Sequence, residues 1–99
     1  MKNFHFLPYK AWSRIIEYSA SWKQVHNSFT LCYSVTYPNR FGLSIIKNRH
    51  SDSGRNDLWE VRVLKDGERY RDSNGNSYWK NHCTDYDVVA LCEFVRNVC

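Results

Sequence analysis

Ninety-nine residues, 42% hydrophobic and 16% aromatic, are too apolar for a disordered chain and fit one domain, residues 1–99, around one modest core. The formal charge of +4 is ordinary for a soluble domain but unevenly spread: residues 1–57 hold eight Lys/Arg against three Asp/Glu, and residues 58–99 hold six against seven. The basic N-terminal half can serve phosphates or an acidic protein surface.

The opening MKNFHFLPYKAW lacks the roughly 7–15-residue apolar stretch of a signal peptide. No run approaches the ~20 apolar residues of a membrane span. A cytoplasmic location is therefore expected, with no membrane partner. The cysteines, Cys32, Cys83, Cys92 and Cys99, are then expected to be reduced thiols, and their spacing contains no C-x-x-C.

In chain order, residues 9–25 read as a helix. Trp12, Ile15, Ile16 and Ser19 share a face at spacings of three and four, with Trp22 at its edge. Pro8 suits the first turn, whereas Ser13, Ser19 and Ser21 are poor helix formers. Residues 29–37 read as a strand, because Phe29, Leu31, Tyr33, Val35 and Tyr37 alternate with small polar residues. Pro38-Asn39 turns the chain, and residues 42–48 return as a second strand.

Residues 49–57 are polar, contain Gly54 and read as a loop. Residues 58–64 form a third strand, with Trp59, Val61 and Val63 facing the helices and Leu58, Glu60, Arg62 and Leu64 facing away. Asp66-Gly67 is a preferred pair for a two-residue type I′ hairpin, so residues 68–72 pair back. Asn74-Gly75 repeats the signal, and residues 77–81 form a fifth short strand. Thr84 opens the terminal helix, with Asp87 completing a carboxylate variant of the capping box. Val88, Leu91, Cys92 and Val95, extended by Val98, form its buried stripe. The expected fold is α+β: an N-terminal helix, an antiparallel meander of four to five strands, and a C-terminal helix packed on one sheet face.

No catalytic signature is present. His82, Cys83, Cys92 and a distant His26 or His50 lack the close ligand pairs of a zinc site. Asp72, Asn74 and Asn76 match the first positions of a calcium loop, but Ser77 and Cys83 stand where the loop needs Gly and Glu. No nucleophile elbow, P-loop or dinucleotide-binding glycine pattern occurs. The chain is expected to be no enzyme, with no metal and no cofactor. An unfamiliar site using Cys83 and a histidine would need a perturbed thiol.

The partner-binding residues expected from composition are Arg40, Lys47, Arg49, His50 and Arg55, with Phe41 among them and Tyr37 and Trp79 as ring anchors. Arg62, Arg69 and Arg71 add cations near Tyr70 and Trp79, but Glu60, Asp66, Glu68 and Asp72 lie among them. Cations interleaved with rings suit nucleic acid, and cross-strand ion pairs explain the same pattern. A free outer strand would also allow a homodimer.

The stretch from Gly54 to Val95 resembles small accessory proteins of tailed phages. The resemblance lies in Leu58-Trp59-Glu60-Val61-Arg62-Val63-Leu64, the Asp66-Gly67 hairpin and the helix opened by Thr84-Asp85-Tyr86-Asp87. It departs where Tyr70-Arg71-Asp72-Ser73 replaces an aromatic-Asp-Thr-Pro motif. The resemblance implies an accessory protein of the host cytoplasm that inhibits a host enzyme or defence component, such as a nuclease or CRISPR-type complex. The competing expectation is a basic nucleic-acid-binding accessory protein.

Overall fold

The computed structural model describes residues 6–27, 29–48 and 56–97. Helix α1 (Tyr9–Ile16) is followed by strands β1 (Ser21–His26), β2 (Thr30–Thr36), β3 (Phe41–Asn48), β4 (Trp59–Lys65), β5 (Glu68–Arg69) and β6 (Trp79–Cys83), then helix α2 (Asp85–Arg96). The strands make one six-stranded antiparallel sheet in the order β1-β2-β3-β4-β5, with β6 also pairing β4. The class is α+β, with both helices on one sheet face.

The first helix is shorter than its spacing predicts. It stops at Ile16, Tyr18 turns the chain at φ 64°, and residues expected to be helical become the edge strand β1. The three–four spacing from Trp12 to Trp22 fits a helix, but pairing wins. An edge strand supplies hydrogen-bond partners to the outer side of β2, which the helix would leave to water. The indoles of Trp12 and Trp22 still meet, edge to face at 5.7 Å, now across the turn rather than along a helix.

Strand β2 buries Leu31, Tyr33 and Val35, and Tyr37 follows directly after it in the same buried phase, as the alternation predicts, while Phe29 stays 54% exposed at the turn before it. Its core residues face Leu43 and Ile45 of β3 and, one strand further, Val61 and Val63 of β4. Gly42 is fixed by close approach: a Cβ there would run into the Val35 carbonyl oxygen on β2. Trp59 is fully buried, and its indole N–H donates to Asp85 Oδ1 at 2.8 Å, tying β4 to the first turn of α2.

The Asp66-Gly67 pair has positive φ at both residues (56° and 80°), as a type I′ hairpin requires. The second turn differs, since between Asn74 and Gly75 only the glycine is positive. The Gly75 N–H donates to the Asp72 carbonyl, and the Asp72 N–H donates to that of Asn76. This is a longer turn ending in a left-handed glycine. The Asp72 carboxylate accepts the N–H groups of Asn74 and Asn76 and so serves the turn itself.

The outer edge of β4 is shared. Its C-terminal end pairs β5 and its N-terminal end pairs β6 across a bulge. Between them the Tyr70 N–H donates to the Val63 carbonyl and the Val63 N–H to the Tyr78 carbonyl. Residues 71–77 therefore leave the sheet as a small arm. Helix α2 carries the expected capping box, with Thr84 Oγ1 accepting the Asp87 N–H and Asp87 accepting the Thr84 N–H. Its stripe of Val88, Leu91, Cys92 and Val95 is buried as predicted, while Val98 lies outside the described residues. No helix among the described residues is long and apolar enough to cross a membrane.

Candidate functional site

Three of the expected contact residues belong to the interior. Tyr37 is 1% exposed, its hydroxyl donates to the Ile15 carbonyl, and its oxygen lies against the Cys92 sulfur. Phe41 is buried and packs edge to face on Tyr70 at 5.5 Å. Lys47 is 1% exposed, with its ammonium 2.8 Å from the Asp57 carboxylate and 4.1 Å from the Trp59 ring centroid. The physical reason is the sheet register. Tyr37 and Lys47 occupy the same alternating positions as the apolar core residues of β2 and β3, and Phe41 opens β3 beside Leu43.

Arg40 is exposed, but its guanidinium grips both oxygens of Asp66. That contact raises the Arg40 pKa and holds the Asp66 carboxyl below its usual range. Arg49, His50 and Arg55 lie outside the described residues. With Arg14 bound to Glu93 at 2.9 Å, much of the positive charge described in the N-terminal half is already paired within the fold.

Trp79 is placed differently. It is 51% exposed on β6 and lies directly opposite Arg62 of β4. Directly opposed residues of an antiparallel pair project to the same side. Arg62 alternates with the buried Val61 and Val63, so this side is the one without helices. Trp79, Arg62, Arg69 and Tyr78, with Glu60 and Ser77, line an open groove of about 300 Å³. Arg62 lies 3.4 Å from Glu60, whereas Arg69 has no ion-pair partner among the described residues. Tyr78 is 42% exposed. On its other side Trp79 borders a second depression lined by Lys80, Asn81, His82, Cys83 and Asp87.

The site thus combines two guanidinium groups, two accessible rings and one carboxylate on a sheet edge. Arg71 stands apart, donating to the Gly75 carbonyl of its own turn at 2.9 Å. The sequence marked Trp79, but it did not assemble the groove. β6 pairs with β4 rather than with β5, and only that pairing puts Trp79 over Arg62. The Tyr78-Trp79 doublet was an available signal, because two adjacent large rings rarely both find cover in a core this small.

Among the described residues no three His, Cys, Asp or Glu side chains converge on a position that could hold a metal. Burial pushes the Cys83 thiol up, and Asp87 adds to the effect. Burial also pushes the Cys92 thiol up, which its contact with Tyr37 only partly offsets. Both therefore stay protonated near neutral pH, the less nucleophilic form. Comparison with protein-family models, with curated proteins and with solved structures finds no match to this chain.

Proposed function

We propose that the protein is a small non-catalytic accessory module of phage type that acts in the host cytoplasm, where it docks on a host protein and inhibits it. The observation that carries this reading is the half-exposed Trp79 beside Arg62, Arg69 and Tyr78 on the helix-free side of the sheet. Trp, Tyr and Arg are the residue types that most often anchor protein interfaces. A stoichiometric inhibitor needs such anchors and no reacting group. The protonated thiols of Cys83 and Cys92 agree with a protein that performs no thiol chemistry. The cations favour an acidic host surface and speed the encounter with it.

The same groove suits single-stranded nucleic acid, whose bases stack on rings while cations follow the phosphates. Capture from bacterial lysate separates the two, with and without nuclease and at two salt concentrations. The inhibitor reading expects one host protein, retained by the wild type after nuclease and high salt. Trp79→Ala should then weaken that complex by about 2 kcal/mol, on the order of thirtyfold in affinity. Arg69→Glu should weaken it further at low salt than at high salt. Recovery of mixed nucleic acid, with affinity falling steeply as salt rises, would replace the inhibitor reading by the second. Undiminished capture by Trp79→Ala would remove the groove from either.

A further inference from the structure

The two lateral edges of the sheet are built differently. On the β4 side the edge is broken into the two-residue β5, the projecting arm and a bulged β6. These are devices by which sheet proteins avoid pairing with one another. On the other side β1, SWKQVH, runs six residues without proline or interruption and is exposed throughout.

The hydrogen-bond phase of β1 is set by its neighbour. The Asn27 N–H donates to the Thr30 carbonyl, and Asn27 stands one step beyond the paired residues His26 and Leu31. Hydrogen-bonded and non-bonded pairs alternate along an antiparallel ladder. Val25, Lys23 and Ser21 therefore direct their backbone groups at β2, opposite Cys32, Ser34 and Thr36. The β2–β3 ladder agrees, since the Tyr37 N–H donates to Phe41 and so commits the odd-numbered residues of β2 to β3. What remains is fixed: Trp22, Gln24 and His26 point N–H and C=O away from the sheet. Among the described residues no strand pairs with that side of β1.

We propose that β1 is a self-pairing edge, and that two copies of the chain join antiparallel about a two-fold axis at Gln24. In this register Gln24 meets the partner's Gln24, and Trp22 meets the partner's His26. All three outward residues of each strand then exchange both backbone bonds, which no other two-fold register achieves. Centring on Trp22 or His26 runs part of the strand past its partner's end. Centring on Lys23 or Val25 presents backbone groups already bonded to β2, and the Lys23 register also opposes two ammonium groups. Around Gln24 each Lys23 faces the partner's Val25, so no like charges are directly opposed.

The side chains agree with the backbone. Trp22, Gln24 and His26 share the helix side of β1, because Trp22 pairs with the buried Val35 and Gln24 with the buried Tyr33. Trp22 is 52% exposed, and Phe6, 45% exposed, stacks edge to face on His26 at 5.4 Å. In the dimer the indole of Trp22 lies against the partner's His26 and the partner's Phe6, once on each side of the axis. Two six-stranded sheets become one continuous sheet. The Trp79 groove is on the opposite edge, so this inference does not rest on the docking proposal.

The test is the mass of the full chain by sedimentation equilibrium over a dilution series. The expected value is two chains of 11.8 kDa each, dissociating on dilution. Gln24→Pro deletes an N–H that points out of the sheet and so spares the β1–β2 ladder. Gln24→Lys keeps every backbone group and opposes two cations at the axis. Each should return the mass to one chain with an unchanged far-ultraviolet circular dichroism spectrum, and where Gln24→Pro fails to fold, Gln24→Lys decides. A wild type that stays one chain at every concentration, or a larger mass insensitive to Gln24→Lys, overturns the proposal.

Discussion

Lys47 shows how far a residue's role depends on where its strand sits. Its ammonium is buried against the Asp57 carboxylate and the Trp59 ring, and Asp57 itself is 44% exposed. Removing one partner of a buried pair strands a charge, whereas replacing the charge by an apolar side chain of similar length need not. Asp57→Ala should therefore cost about 2–3 kcal/mol in urea unfolding, at the low end for a buried pair because water reaches the carboxylate. Lys47→Met should cost less than about 1 kcal/mol. Equal losses would show that the stem of Lys47, not its charge, holds the site. Tyr37 and Cys92 make a similar point at neutral polar groups. Burial pushes both, along with Tyr33 and Cys83, toward their protonated forms. Ordinary thiols and phenols release protons near 9.0 and 10.0, so at high pH the unfolded chain binds fewer protons than the native one and stability falls as pH rises past about 9. At the acid end Asp66 and Asp87 are held below the usual 3.8, so their contribution is present above that value and is lost as pH falls through their lower native values. The melting temperature should be flat between about pH 5 and 8 and decline on both sides. Tyr37→Phe should weaken the alkaline decline while lowering the plateau by about 1 kcal/mol, because the Ile15 carbonyl loses the Tyr37 hydroxyl and keeps only the weaker Cys92 thiol as a side-chain donor.

At the scale of elements, two glycines answer to different constraints and should respond differently to alanine. Gly67 has φ 80° with open space around it, so Gly67→Ala should cost about 1 kcal/mol of backbone strain and leave the sheet intact. Gly42 sits where β2 and β3 approach, and its added methyl must push back the Val35 carbonyl. Gly42→Ala should cost about 2 kcal/mol or more by chemical denaturation and loosen amide protection in both strands. The helices divide along the same line of argument. α2 carries its own start signal in Thr84 and Asp87 and its own buried stripe, so its extent was legible locally. α1 has no side-chain cap at Pro8, and its end is set by the demand of β2 for an edge partner. A three–four pattern cannot report that demand.

At the scale of the whole molecule, placing both helices on one face leaves the other side of the sheet and both of its edges uncovered by any helix or strand among the described residues. One edge carries the Trp79 groove and the other the unbroken β1. A two-edged arrangement of this kind predicts that partner capture and self-association are separable. Gln24→Lys should abolish the dimer and retain partner capture, and Trp79→Ala should do the reverse.

The amino-acid sequence by itself determined the fold class, the three longest paired strands, the type I′ hairpin and the capped terminal helix. Each of these rests on contacts within a few residues or on an alternation that a single strand displays. It also marked Trp79 as a ring anchor for a partner. What only the tertiary structure decided was which face each marked residue occupies and which strands are neighbours. Tyr37, Phe41 and Lys47 carry the residue types of an interface, yet they lie under the helices because their strand positions share the phase of the apolar core. Residues 21–26 carry a helix-compatible spacing, yet they extend because β2 offers a ladder. Those outcomes depend on pairing between segments far apart in the chain, and composition and local spacing hold no record of such pairing.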